Sequence, residues 1–462
     1  MPAHRRVDRS VPIRPSSPEP AWVLAGRTWW RGAAQPVEVG IDDDGTIVRV
    51  GRALRAPRRR DVGEAWILPS ATDLHVHLRD PPGLPDVETF ATGTVGAARG
   101  GVGLVAEMPN TEPAVLDADR LAEKAERARG RLSVDLLLYG MLAPHADVEG
   151  LAAVAGGFKL YLSPTTGVDR PPTGEEVRRL VRRAENTGLP IAVHAEDADR
   201  FSAAGPDPPD PVGWNRARPM AAEAAAVDTI LRSASEGARL HIAHVTQPAL
   251  ADRLAGRWSF EATPHHLLLS AQPGLGARGK VNPPLRPEPT RSALWDRFSR
   301  GLVPILASDH APHAREAKDV GFRRAPSGMP GVETMLPLML ERCRAGMLGI
   351  GTLLAAACDR PARWLGQPRG RIAVGHRADL LVVDFRRRGS VRADRLASPC
   401  GWTAFEGWPA IFPIEHYLAG RRIVEEGEHV GAAEGGIVRP EFAPTSDGVR
   451  PGRSPPVRPP PR

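Results

Sequence analysis

Lysine is scarce in this chain of 462 residues, which has 57 arginines but only four lysines, Lys124, Lys159, Lys280 and Lys318. Tyrosine is also rare, with three residues, whereas glycine and proline number 47 and 48, as is typical of GC-rich coding. Arginine therefore supplies almost all of the positive charge. A lysine kept within an apolar run predicts a role that requires an amine, because a guanidinium stays protonated in proteins.

Cysteine and long apolar runs are equally sparse. Cys343, Cys358 and Cys400 are far apart and form no CxxC pair, which argues against a disulfide framework and favours a reducing, cytoplasmic setting. No apolar run reaches the roughly 18 residues that a membrane helix needs. The first 20 residues lack the apolar core of a secretory signal. We therefore predict a cytoplasmic location and no membrane partner.

The net charge of +7 is concentrated at the chain ends, where residues 1–20 and 436–462 together contribute five charges. A further arginine run occupies residues 52–60 and favours a solvated surface. A nucleic-acid patch is the alternative, but no aromatic residues interleave these arginines, and we predict no nucleic-acid partner. Both ends are rich in proline, so residues 1–20 and 436–462 are predicted to be disordered tails.

Two different sequence patterns occur between the predicted tails. Residues 21–70 and 371–430 contain short strand-like runs broken by turn residues, which indicates small antiparallel β elements. The middle of the chain alternates apolar runs with helical stretches rich in Ala, Arg and Glu. The apolar runs number eight: 66–77, 102–108, 134–141, 157–162, 190–195, 239–245, 258–263 and 303–309.

Eight alternating units over roughly 290 residues predict an α/β protein with a (β/α)8 TIM barrel. A doubly wound sheet would also alternate, but no glycine-rich dinucleotide fingerprint follows an early strand. Catalytic residues of such barrels come from the carboxyl ends of the strands. Six titratable side chains lie at these ends: His75, His77, Lys159, His194, His244 and Asp309.

All six can serve as metal ligands, directly or after modification. His75 and His77 are two residues apart and share one face of a strand, so both imidazoles can reach one metal ion. His194 and His244 hold equivalent places on successive strands, and Asp309 could both bind metal and shuttle a proton. The alternative to metal binding is that these histidines lie on the surface or are hydrogen-bonded within the core.

Lys159 lies in the apolar run GFKLYL, where an unpaired ammonium would be costly. Unlike arginine, lysine can lose its proton, and the amine can react with CO₂ to form an anionic carbamate. Such a carbamate could bridge two cations, so the six residues together predict a binuclear site that activates a hydroxide.

Several separate motifs resemble the amidohydrolase superfamily and, within it, the dihydroorotases over about residues 22–430. The matching segments are DLHVHLRDPPG (73–83), EMPNTEP (107–113), GFKLYLSPTTG (157–167), VHAED, HIAHVT, EATPHHLLL, KVNPPLR (280–286), SDHAPH and the stretch 361–384. The resemblance implies a barrel over 71–364 and a small composite β-sandwich domain built from 21–70 and 365–435.

The resemblance also implies a role for each matched position. His75 and His77 would bind one zinc ion with Asp309, His194 and His244 would bind a second, and carboxylated Lys159 and a hydroxide would bridge them. Asp309 would also be the catalytic proton shuttle. The substrate's carboxylate would contact three residues, Arg79, Asn110 and His313, and Asn282 would make a further substrate contact.

The implied reaction is the reversible, zinc-dependent cyclisation of N-carbamoyl-L-aspartate to L-dihydroorotate and water in pyrimidine (UMP) synthesis. Allantoinase and hydantoinase or dihydropyrimidinase are alternatives, which the anion-binding residues disfavour because those substrates lack the ring carboxylate. An inactive dihydroorotase-like partner of aspartate transcarbamoylase is a further alternative, although all six ligands are present. Homo-oligomer formation and association with aspartate transcarbamoylase are left open.

Overall fold

The computed structural model describes residues 19–84, 86–165, 167–202 and 208–442. The described strands form two eight-stranded sheets and one two-stranded ribbon. In chain order they are β1 (Trp22–Trp30), β2 (Ala33–Ile41), β3 (Ile47–Gly51), β4 (Arg58–Pro69), β5 (Ala71–Val76), β6 (Val102–Glu107), β7 (Asp135–Leu142), β8 (Gly157–Tyr161), β9 (Ile191–His194), β10 (Leu240–Ile242), β11 (Ser259–Ala262), β12 (Ile305–Leu306), β13 (Leu380–Val383), β14 (Gly389–Ser390), β15 (Pro409–Ala410), β16 (Glu415–Leu418), β17 (Arg421–Glu425) and β18 (Glu428–His429).

Helices connect most of these strands. They are α1 (Phe90–Arg99), α2 (Ala118–Ala128), α3 (Val148–Val154), α4 (Gly174–Asn186), α5 (Pro211–Ala217), α6 (Met220–Ser233), α7 (Pro248–Leu254), α8 (Pro264–Leu268), α9 (Glu288–Ser299), α10 (Arg315–Lys318), α11 (Met335–Arg344), α12 (Ile350–Leu354) and α13 (Arg360–Trp364). Within the described ranges, none of them has both the length and the apolar character needed to span a bilayer.

Strands β5 to β12 form the barrel, and each pairs in parallel with the next. Every residue of β6, β7 and β8 is buried, as expected for strands covered on both faces. The ring closes through a parallel bridge between Val76 and His310 and a 2.7 Å hydrogen bond from the His77 amide to the His310 carbonyl. The predicted TIM barrel is therefore confirmed.

The first predicted barrel strand, 66–77, is in fact two strands. Residues up to Pro69 belong to β4 of the other sheet, and β5 begins at Ala71. The intervening Ser70 donates its amide to the Asp379 carbonyl beside β13, so the chain changes sheets at this residue. The apolar run continues without a break because both strands are buried where they adjoin.

The second sheet combines both ends of the described chain in the order β18-β17-β16-β13-β4-β1-β2-β3. All its neighbouring strands are antiparallel except β1 and β4. It has its own apolar core, which includes Leu24, Ile67, Leu380 and Tyr417. Three arginines of the run 52–60 begin β4 of this sheet and pair with carboxylates: Arg58 with Asp43, Arg59 with Glu38 and Arg60 with Glu415.

Part of the predicted carboxyl-terminal tail is ordered against the barrel. The Leu136 amide of β7 donates to the Gly436 carbonyl at 2.9 Å, and the Val438 amide returns a bond to Leu136 at 2.8 Å. A Cβ at Gly435 would lie 2.0 Å from the Val134 carbonyl oxygen, so only glycine permits this approach. Residues 1–18 and 443–462 of the predicted tails lie outside the described residues.

A buried charge cluster joins the two sheets. Arg369 is buried, and its guanidinium is 2.6 Å from an Asp135 oxygen at the start of β7 and 3.1 Å from an Asp379 oxygen beside β13. Arg377 pairs with both carboxylates as well. Since neither carboxylate is solvated, Arg369 is needed to compensate their buried charge.

We expect Arg369→Met to lower the free energy of unfolding by about 3–5 kcal/mol, because it leaves two buried carboxylates short of a partner. Arg371→Met is the matched control: its ion pair with Asp359 is half-exposed, and its loss should cost no more than about 1 kcal/mol. Denaturant titration followed by circular dichroism measures both variants. Equal midpoints for the two would contradict this account of the cluster.

Candidate active site and metal centre

Two histidines and an aspartate meet where the barrel closes. His75 lies in β5, His77 follows it, and Asp309 comes three residues after β12. The Nε2 atom of His75 is 3.2 Å from Asp309 Oδ1, and that of His77 is 3.4 Å from the same oxygen. Side chains from the first and last barrel strands thus converge on one carboxylate oxygen.

Lys159 points into the same region from β8. Its side chain is completely buried, and Nζ lies 3.3 Å from His75 Nε2. Burial lowers the pKa of Lys159 to about 8, although the negative charges of Glu261 and Asp309 oppose the shift. Near neutral pH a larger fraction of this amine is uncharged than for an exposed lysine.

The remaining two predicted ligands form a pair. His194 ends β9, and His244 comes two residues after β10. His194 Nδ1 lies 2.9 Å from His244 Nε2, with the two rings steeply inclined to each other. Two imidazole nitrogens this close must share either a proton or a cation.

The donor set fits a metal ion. One ligand atom each from His75, His244 and Asp309 lies within 4.8 Å of the others. Burial lowers the pKa of His75 to about 4 and lowers the pKa values of His77 and His244 well below the usual range. The imidazoles are therefore neutral at physiological pH, which is the form that binds metals.

Three of the site residues have left-handed backbone conformations, with φ of 55° at Arg79, 37° at His244 and 47° at Asp309. Only seven non-glycine residues in the described ranges have positive φ. Such conformations cost about 1–3 kcal/mol each and persist where the surrounding structure enforces them. They direct these three side chains inward just past the strand ends.

Glu261 of β11 fixes the orientation of His75. Its carboxylate lies 2.7 Å from His75 Nδ1 and 2.8 Å from His241 Nε2. Burial would raise the pKa of Glu261, but His75 and His241 hold it well below its usual range. With Nδ1 donating to this carboxylate, His75 presents Nε2 to the cluster. Glu261 was not predicted from the sequence, although it is the one carboxylate in the apolar run 258–263.

Glu196 does the same for His194. Its carboxylate is 3.0 Å from His194 Nε2 and 3.1 Å from Nε of the buried Arg218. Despite burial, which acts in the opposite sense, Arg218 and His194 lower the pKa of Glu196 to about 2. His194 is thereby left with Nδ1 facing His244. This carboxylate was also missed, although it lies two residues after a predicted ligand.

The predicted ligands and substrate contacts mostly face one cleft. Its walls comprise His75, His77, Arg79, Asn110, Tyr161, Thr165, His194, His244, Asn282, Asp309, Ala311, Ser327 and Gly328. Asn110 accepts a 2.8 Å hydrogen bond from the Tyr161 hydroxyl, and Asn282 accepts a 3.1 Å bond from the Trp214 indole. Thr165, Ser327 and Gly328 were not predicted to contribute.

His313 is the predicted substrate residue that does not line the cleft. Its Nε2 donates to the Ser327 carbonyl at 2.9 Å and lies 3.3 Å from Arg79 Nη2. Arg79 also donates from Nε to the Pro312 carbonyl at 3.3 Å. His313 therefore lies behind Arg79 and adjoins the cleft through it.

A (β/α)8 barrel that presents four histidines and an aspartate to one cleft, with a fully buried lysine in contact with one of the histidines, is the arrangement of the amidohydrolase superfamily. A family model described as dihydro-orotase-like matches residues 65–163. A dihydroorotase of Halobacterium salinarum is 39% identical over 406 residues, covering 86% of this chain and 95% of that protein. One of Methanosarcina acetivorans is 33% identical over 437 residues, covering 88% and 92%.

The chain belongs to the dihydroorotase family. Among solved structures, an L-hydantoinase (dihydropyrimidinase) of Arthrobacter aurescens is similar, with a TM-score of 0.83, 27% identity and coverage of 90% of this chain and 99% of that chain. The cyclic amidohydrolase fold is thus shared beyond the family.

We expect Glu261→Gln to weaken metal binding by about 10–100-fold, because an amide no longer holds His75 and His241 as a carboxylate does. Metal-to-protein ratios after dialysis against graded chelator measure the effect. Glu64→Gln, which removes an exposed carboxylate, is the control and should retain metal as the parent does. Unaltered metal retention in Glu261→Gln would show that this carboxylate does not support the ligands.

Proposed function

We propose that the chain catalyses the reversible cyclisation of N-carbamoyl-L-aspartate to L-dihydroorotate and water. Family membership supports the reaction, and Arg79 carries the choice of substrate. Its guanidinium lines the cleft beside His77, and no carboxylate in the described residues lies within ion-pair distance of it. A guanidinium in this state suits an incoming carboxylate, which it can bind through two parallel hydrogen bonds.

We propose in addition that two zinc ions occupy the site. One would be held by His75, His77 and Asp309, and the other by His194 and His244, with carboxylated Lys159 between them. The neutral imidazoles of His75 and His244 and the buried amine of Lys159 support this assignment. When bound, such a pair of cations activates water and polarises a carbonyl oxygen.

In the hydrolytic direction, water attacks the ring amide carbonyl and the C–N bond breaks. Asp309 takes one proton of the attacking water and returns it to the leaving nitrogen, which becomes the carbamoyl NH₂. The other proton of the water stays on the new carboxyl group and is lost to solvent when that group ionises. Its Oδ1 lies within 3.4 Å of both His75 and His77, at the centre of the cluster. In the reverse direction the same carboxyl group donates to the departing oxygen.

Arg79 and Asn110 hold the substrate's carboxylate in this scheme, and His313 acts through Arg79 because it lies behind it. Asn110 faces the cleft with its oxygen already engaged by Tyr161. Asn282 bounds the cleft on the side of the 280–286 segment and makes the further contact.

Hydantoinase-type hydrolysis is the second candidate, favoured by the likeness to the L-hydantoinase structure. Hydantoin, dihydrouracil and allantoin lack the ring carboxylate, so they leave the Arg79 guanidinium unpaired. All six predicted metal ligands are present, which does not favour an inactive partner of aspartate transcarbamoylase. Cytoplasmic location, self-association and association with aspartate transcarbamoylase remain predictions from the sequence.

We expect the zinc-loaded protein to interconvert N-carbamoyl-L-aspartate and L-dihydroorotate and to leave hydantoin, dihydrouracil and allantoin nearly unchanged. Arg79→Met should lower kcat/KM for L-dihydroorotate by about 100-fold, the loss expected for a charge-assisted bidentate pair of about 3 kcal/mol. Absorbance assays with each substrate test both statements. Efficient hydantoin hydrolysis without dihydroorotate turnover would refute the proposal.

We expect Lys159→Ala and Asp309→Ala each to lower kcat by at least about 1000-fold, through loss of a ligand in both and of the proton shuttle in Asp309→Ala. Lys159→Ala should also bind less zinc per chain. Arg179→Ala, on the exposed face of α4, is the control for loss of a surface cation. Metal analysis and initial rates decide: a metal-free wild type whose activity survives both substitutions would exclude the metal mechanism.

A further inference from the structure

All four lysines of this arginine-rich chain are buried, each exposing 7% or less of its surface. Lys159 belongs to the cluster described above. Lys124 donates to Glu107 at 3.0 Å and to the Met108 carbonyl at 2.8 Å. Of the other two, Lys318 lies within the segment 312–328, which connects His313 to the cleft residue Gly328, and Lys280 lies beside it.

Lys318 links the first part of this segment to its last residues. It ends α10, and its ammonium donates to the carbonyls of Pro326 and Gly328 at 2.8 and 2.9 Å. Lys280 approaches from the neighbouring segment and donates to the carbonyls of Phe322 and Arg323, both at 3.0 Å. Four backbone carbonyls of one segment are thus held by two ammonium groups.

Each ammonium also lies over a tryptophan ring. Lys318 Nζ is 5.2 Å from the centre of the Trp402 ring, and Lys280 Nζ is 4.8 Å from that of Trp214. Both distances are within the range of a cation–π attraction. The segment 312–328 therefore meets two tryptophans from other parts of the chain through its lysine contacts.

The same two tryptophans hold predicted substrate residues. Trp402 Nε1 donates to the His313 carbonyl at 2.8 Å. Trp214 Nε1 is shared between the Val281 carbonyl at 3.0 Å and Asn282 Oδ1 at 3.1 Å. The contacts therefore form two similar units. In each, a lysine ammonium lies over the face of an indole ring, and the N–H of that ring donates to a predicted substrate residue. The two units are Lys318–Trp402–His313 and Lys280–Trp214–Asn282.

We propose that Lys318 and Lys280 are positioning residues for the substrate, each acting through its tryptophan on His313 or Asn282. The inference rests on the proposed dihydroorotase function. A compact ammonium can direct its three N–H groups at two carbonyls and leave its surface against a ring, whereas a planar guanidinium needs more room. This requirement accounts for lysine at two buried positions in a chain that otherwise uses arginine.

The experiment compares the zinc-loaded full chain with Lys318→Met and Lys280→Met. Because His313 and Asn282 would hold the substrate equally in the ground and transition states, KM for N-carbamoyl-L-aspartate should rise by about tenfold or more while kcat changes by less than about threefold. Zinc content should stay the same. Arg324→Met, which removes an exposed cation from the same segment, is the matched control and should leave KM unchanged.

Amide hydrogen exchange provides a readout that does not depend on activity. We expect Lys318→Met and Lys280→Met to speed exchange across 312–328, because four carbonyl contacts hold this segment. Trp402→Phe keeps an aromatic face over Lys318 but loses the bond to His313. It should therefore raise KM with little change in exchange, and it carries the test of the Lys318 unit if Lys318→Met fails to fold.

The outcomes separate this inference from the proposed function. A wild type without cyclase activity contradicts the proposed function. Faster exchange in the lysine variants would then support only the part of the inference in which the two lysines hold the segment 312–328 in place. An active wild type whose folded lysine variants keep KM within about twofold of the parent contradicts the positioning role. A fall in kcat with unchanged KM would contradict it too, because the lysines would then act on the chemical step.

Discussion

The burial of ionisable groups inside the barrel is the constraint on which the rest of the site depends. A carboxylate or imidazole at this depth is tolerated only with a partner, because an unpaired charge in an apolar interior is costly. Glu261 satisfies two imidazoles at once and thereby sets the tautomer of His75. The same constraint keeps His75, His77 and His244 neutral and brings the pKa of Lys159 to about 8.

The architecture could be predicted from the sequence because each barrel strand is a short apolar run and each predicted ligand lies in such a run or directly after it. The limits of these runs were harder to predict. The run 66–77 serves two sheets, and periodicity cannot distinguish one long buried strand from two that adjoin at Ser70. Residues 436–442 were assigned to a tail on proline content, whereas Gly435 allows the chain to lie against β7.

The supporting residues could not be predicted because their partners are remote in sequence. Glu261 and His75 are 186 positions apart, and Trp402 and His313 are 89 apart. The scarcity of lysine drew attention to Lys159 but gave no role to Lys124 or Lys318. Their carboxylate and carbonyl partners become visible only when distant segments are brought together in the fold.

The closure of the barrel has a consequence for cooperativity. The last barrel strand, β12, has only two residues, and the ring is completed by contacts of Val76 and His77 with His310. His77 and Asp309, the neighbour of His310, are predicted metal ligands. Opening this seam would separate them, so the fold and the metal centre would be lost in one event. A cation bound by these residues would in turn stabilise the closed form of the barrel.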